Sequence, residues 1–72
     1  MGANGRLEIL RRFGKRVRAT RDELGISQEE LAARADLDRT YVGGVERGER
    51  NVSLINIHRL AKALDTTPKE LL

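Results

Sequence analysis

The stretch LDRTYVGGVERGERN, residues 37–51, carries three glycines, three arginines and one tyrosine. Two readings compete for it. One is a glycine-rich loop that cradles a phosphate. The other is a helix whose bare glycines let it press against something large and negative. A phosphate loop needs the pattern G-x-x-x-x-G-K-[ST] or G-x-G-x-x-G behind a strand. GGVERG matches neither, and no strand pattern precedes it. The helical reading fits the flanks. Asp38 stands where an N-cap belongs, Val42 and Val45 are inward residues three apart, and Gly48 stops the helix.

Upstream, SQEE opens a second short helix. Ser27 is its N-cap, Glu30 completes a capping box, and Leu31, Ala32 and Ala35 give its inner face. ADLD between the two is a tight turn, plugged by Leu37. Asp36 there tolerates the left-handed conformation. Two short helices joined by about three residues form a helix-turn-helix unit. Further upstream, Leu7, Leu10, Phe13, Val17, Thr20 and Leu24 step by three and four along one face of a first helix that Gly25 ends. Downstream, Ser53 caps a fourth helix with the stripe Leu54, Ile57, Leu60, Ala61 and Leu64. Asp65 and Thr66 break it. Thr67 caps a last turn with Pro68 at its first position. The fold class is therefore all-α, a compact bundle of five short helices over residues 7–72, with residues 1–6 as a loose, flexible start.

At 72 residues the chain is one domain. A core this small is marginal alone, so dimerisation would help it. Residues 1–21 hold seven basic side chains and one acidic, Glu8; the rest of the chain holds seven basic and ten acidic. A basic first third suits an anionic partner, and a solvated helix face is the alternative. No cysteine is present, so there is no disulfide or thiolate chemistry. No apolar run is long enough to span a bilayer. His58 is the single histidine, too few for a triad or a metal site, so neither enzyme activity, metal nor cofactor is expected. Glu29–Glu30 and Asp22–Glu23 lie at helix ends, where capping and solvation explain them.

With Val42 and Val45 inward, the outer face of the third helix reads Arg39, Thr40, Gly43, Gly44, Arg47. Glycine inside a helix costs about 0.5–1 kcal/mol against alanine, so two in succession suggest that bulk is forbidden there. A groove wall would forbid it. Arg39 could then pair with guanine through its planar fork, and Thr40 could meet a thymine methyl or a base edge. Tyr41 either packs partly in the core or reaches DNA. Gln28, with the amides at the start of its helix, could hold a phosphate. Arg47, Arg50 and Asn51 suit phosphate or base contact; the alternative for the two arginines is solvated charge or a pair with Glu46 or Glu49. Arg16 and Arg18 are weaker candidates. Ile55 lies off the apolar stripe of the fourth helix. With Leu71 and Leu72 it could form a patch covered by a symmetric copy, or the two leucines could simply close the monomer core.

The segment GISQEELAARADLDRTYVGGVERGERNVSLINIHRLAKALDTTPKELL resembles the Cro/repressor-type (XRE) helix-turn-helix domain, a lambda-repressor-like fold, across roughly residues 8–72. LDRTYVGGVERGERNVSL resembles, more narrowly, controller proteins of type II restriction-modification systems. That resemblance implies a homodimer, formed through C-terminal helices, on palindromic operators in double-stranded DNA, with a second dimer on the same promoter left open. It implies control of its own gene and an endonuclease gene, by activation at low occupancy and repression at high. It places the counterparts of Gln28, Arg39, Thr40, Tyr41, Arg47, Arg50 and Asn51 at or near the DNA. The bacterial cytoplasm, at the nucleoid, is the expected location; no membrane and no small-molecule ligand are expected. An antitoxin that pairs with a toxin protein and a phage-type repressor are the other functions such a domain could serve.

Overall fold

The computed structural model describes residues 3–72, and side chains from residue 5 onward. Five helices follow one another: α1 (Ala3–Leu24), α2 (Gln28–Ala35), α3 (Arg39–Glu46), α4 (Leu54–Ala63) and α5 (Pro68–Leu71). α1 begins at Ala3 rather than at residue 7, so residues 3–6 continue the helix instead of preceding it. For Met1 and Gly2 the expected loose start lies outside the described residues. At about 1.5 Å per residue, α1 is as long as the whole molecule, whose longest extent is 34 Å. The main packing contacts run α1–α3, α3–α2, α2–α4, α4–α5 and α5–α1, so the helices close a ring.

The core fills the inside of that ring. Val17, Leu31, Val42, Val45, Leu60, Leu64 and Leu71 are its largest fully buried side chains, with Phe13 at its rim. Ala32, Ala35 and Ala61 complete it, small enough to let helices cross closely. Leu37 and Tyr41 pack against it half-buried. The apolar stripe of α1 is buried only in its middle, since Leu7 and Leu24 lie beyond the reach of the shorter helices and remain exposed. Leu54, assigned to the inner stripe of α4, is 69% exposed. It is the first residue of that helix and sits past the edge of the core. Leu71 is fully buried, because the turn started by Pro68 folds it back under α1 and α4.

Each of the first four helices ends in the same closure. An amide two or three residues beyond the end bonds to a carbonyl five residues back: Ile26 to Arg21, Leu37 to Ala32, Glu49 to Gly44 and Thr66 to Ala61. The motif requires a left-handed residue, supplied by Gly25, Asp36, Gly48 and Asp65. Asp36, at φ 57° and ψ 46°, is thus the hinge of the helix-turn-helix. The N-caps form at Ser27, Asp38 and Ser53, whose side chains accept from the amides of Glu30, Thr40 and Asn56. The capping box is only half made: Glu30 instead pairs with Arg34 one turn on, at 3.0 Å. Thr67 occupies the N-cap position of α5 without a side-chain cap bond.

α1 and α3 touch backbone to backbone. A Cβ on Gly14 would collide with the carbonyl oxygen of Val45 and come within 2.7 Å of that of Glu46. Gly48, in the turn after α3, also meets α1: a Cβ there would sit 2.7 Å from the Arg11 Cγ and 3.0 Å from its Cα. At Gly14 every obstacle is backbone and cannot turn away. Gly14→Ala should therefore lower the unfolding free energy by about 2–3 kcal/mol in urea titration, as overpacking of a rigid contact does.

Candidate nucleic-acid interface

Glu46 is the last residue of α3, yet its side chain is only 3% exposed. Arg21 of α1 grips it with two bonds, Nε to Oε2 at 2.7 Å and Nη2 to Oε1 at 2.9 Å. Gln28 of α2 donates from Nε2 to Oε1 at 3.0 Å. Arg21 spends a further N–H on the Ile26 carbonyl, in the turn between α1 and α2. One carboxylate therefore joins three helices. Burial pushes its pKa up, but the hydrogen bonds from Arg21 and Gln28, the charge of Arg21 and the more distant Arg18 outweigh that and hold it below the ordinary 4.5. The sequence offers Glu46 only as a pair partner for Arg47 or Arg50 and does not single out Arg21, which is the arginine that holds it. The available signal was spacing: Glu46 follows Val45 and Val42 by one and four positions, which turns it inward.

This network sets α3 against α2 and decides which face stays outside. Arg39, Thr40, Arg47, Arg50 and Asn51 are all exposed. Arg39 and Arg47 line a cleft with Arg18, Ser27, Gln28 and Glu29, where the first turn of α2 begins. The unpaired amides of a first helical turn suit an anion there. Gln28 is in place, but its amide is already held by Glu46. Arg16 faces elsewhere, donating to the Glu70 carbonyl of α5 at 3.4 Å. Tyr41 is half-buried; its hydroxyl accepts from Asn56 Nδ2 of α4 at 3.1 Å, and the Arg50 guanidinium lies 5.7 Å from its ring centre.

Gly43 and Gly44 are not bare. Both are buried, beneath the chain's own surface arginines rather than against its core. A Cβ on Gly43 would stand 3.1 Å from Arg47 Nη1 and 3.7 Å from Gln28 Oε1. One on Gly44 would stand 3.0 Å from Arg50 Nε and 3.2 Å from its Cγ. The glycines are seats on which the two arginines lie flat. Sequence patterning gives the direction a residue faces but cannot show that a long side chain four or six residues on folds back over it.

The patch assigned to a symmetric partner also changes. Leu71 leaves it for the core, while Ile55 at 66% and Leu72 at 60% are exposed. Leu54 and Ile55, with the stems of His58, Arg59 and Lys62, form a shallow groove on α4 with a largely apolar lining. Among the described residues no cluster of His, Cys, Asp and Glu could hold a metal, and no helix is long and apolar enough to cross a membrane.

A short helix seated on two others through a capped tight turn, with its cationic side outward, defines a helix-turn-helix domain. Residues 17–71 match the helix-turn-helix family, and the chain belongs to it. It is 52% identical over 61 residues to control protein C.BamHI of Bacillus amyloliquefaciens, covering 83% of this chain and 75% of that one. It is 45% identical over 65 residues to control protein C.MunI of a Mycoplasma species, covering 89% and 88%. The crystal structure of the restriction-modification controller protein C.AhdI from Aeromonas hydrophila superposes with a TM-score of 0.88 at 58% identity, over 90% of this chain and 98% of that one.

The buried network yields a test with a sign. Arg21→Ala strands the carboxylate and should cost about 3–5 kcal/mol of stability. The folded pKa of Glu46 is depressed, so its stabilisation is complete above the ordinary glutamate value and is lost as pH falls through the lower, folded one. Urea titrations between about pH 7 and about pH 3 should show a loss that Glu46→Gln lacks.

Proposed function

We propose that this chain is a transcriptional regulator of restriction-modification controller type, which binds operator DNA as a homodimer and sets expression of its own gene and an endonuclease gene. The observation that carries the reading is the sidedness of α3. Val42, Val45 and Glu46 face inward, and Arg39, Thr40 and Arg47 face solvent. The similarity to C.BamHI and C.AhdI, spread over most of the chain, supports the controller role in particular.

In this reading α3 lies in the major groove. Arg39, at its N-terminus, reads guanine N7 and O6, and Thr40 beside it meets a base edge or a thymine methyl. The start of α2, with Gln28 and Arg18, takes a phosphate on one side of the groove. Arg47, Arg50 and Asn51 take the backbone on the other. Once the two arginines reach outward, Gly43 and Gly44 are uncovered, and nothing larger than a hydrogen stands between that part of α3 and the groove. Tyr41 reaches the DNA only at its margin, because its hydroxyl is engaged by Asn56.

The dimer forms through the exposed leucine and isoleucine at the start of α4, with Leu72. An apolar groove meeting its own copy across a two-fold axis is an isologous interface, and it places two α3 helices on successive major-groove faces. Occupancy then depends on protein concentration, through dimerisation and then binding.

Selection of bound duplexes from a random pool, followed by gel-shift titration of the winner, tests the reading. Arg39→Ala should weaken the selected duplex by about 1–3 kcal/mol and relax preference at one base pair of each half-site. Equal affinity of the unaltered chain for selected and random duplex would refute it. Ile55→Asp should shift sedimentation from dimer to monomer and raise the midpoint of the operator titration more than about tenfold, since each half-site then binds alone.

A further inference from the structure

The two arginines that flank α3 do not hang free. Arg47 is gripped by Glu49 through two parallel bonds, Nε to Oε2 at 2.9 Å and Nη2 to Oε1 at 3.2 Å. That is the fork-to-fork geometry with which arginine holds a phosphate. The turn at Gly48, with φ at 77°, brings residues 47 and 49 onto one side. The remaining Nη1 of Arg47 lies over Gly43, and Arg50 beside it lies over Gly44 and the Tyr41 ring.

We propose that Glu49 is a positioning residue that stands in for a DNA phosphate: it holds Arg47 folded over α3 in the free protein and so limits the affinity of α3 for DNA. The inference rests on the reading that α3 lies in the groove. When the duplex arrives, Arg47 exchanges one oxyanion for another, so its charge adds little net attraction. Glu49 is then left beside the phosphate backbone as an unpaired like charge. The carboxyl of Glu49 is held below the ordinary glutamate value, first by the hydrogen bond from Arg47 and then by the charges of Arg47 and Arg50, as a paired group would be. The pair is exposed at both ends, 58% and 58%, so it is a weak latch that a duplex opens. It tunes the protein concentration at which an operator fills.

A double-mutant cycle on the selected operator separates this from a general charge effect. Glu49→Gln should tighten binding roughly two- to fivefold, the range of an exposed ion pair. In an Arg47→Ala background the same change should give a smaller gain, because the pair is already gone and only the repulsion between Glu49 and the phosphates remains. An equal gain in both backgrounds would mean that Glu49 merely repels DNA, and the proposal falls; so it does if Glu49→Gln leaves affinity unchanged. A readout without DNA stands beside it. NMR titration of the Glu49 carboxyl should move up toward the ordinary glutamate range in Arg47→Ala, with the Arg50 charge still holding it down in part, and an unmoved titration likewise overturns the pairing. If the unaltered chain binds no duplex selectively, the major-groove reading itself is lost and this inference with it. If it binds selectively and the cycle is flat, only this inference is lost.

Discussion

A single carboxylate, that of Glu46, joins α1, α2 and α3, and the outward face of α3 depends on it. Burial of Val42 and Val45 brings α3 to the core, but apolar contact is non-directional and leaves a helix free to roll. The two bonds from Arg21 and the one from Gln28 are directional and remove that freedom. Taking two ions out of water is expensive, and such a pair is weak support for stability as such. Here it is fully hydrogen-bonded, and among the described residues no buried side-chain nitrogen or oxygen lacks a partner. Its use is positional. It fixes the roll of α3, and with it the direction of Arg39 and Arg47.

The second constraint is the bare contact between α1 and α3 at Gly14, continued by Gly48 in the turn that follows α3. Side-chain packing tolerates small errors because rotamers adjust; two backbones in contact do not. α1 spans the molecule and touches α3 along this line, so it acts as the beam on which the recognition unit is hung. The turn at Gly48 serves a third purpose, since it carries the chain off α3 at the angle that sets Arg47 and Glu49 side by side.

Much of this architecture was legible in the sequence because it is local. Capping residues, apolar steps of three and four, and left-handed stops placed five helices with ends within a residue or so, except for α1, where Gly2, Asn4 and Gly5 suggested a loose start and the helix runs through from Ala3. The inward pair Val42 and Val45 followed from one rotation of a helical wheel. What escaped were relations between elements distant in sequence. Gly14 carries no mark that sets it apart from a helix-weakening glycine; only the α3 carbonyls opposite explain it. Glu46 reads as one charge among many until Arg21 is seen to face it. Gly43 and Gly44 were read in the right direction, outward, but their cover comes from side chains whose rotamers no pattern encodes. Leu54 lies outside the core its stripe predicts, and of the two places open to Leu71 it takes the core, because a stripe does not say where a neighbouring helix ends.

The connections between helices are short, residues 25–27, 36–38, 47–53 and 64–67, and most are pinned by the same backbone closure. Little chain entropy is spent in closing such loops, and helical chains with mostly local contacts reach their folded form in microseconds to milliseconds. Synthesis of the polypeptide takes seconds. The interval between translation and a folded chain is therefore set by the ribosome. Each copy leaves synthesis with no slow maturation step ahead of it.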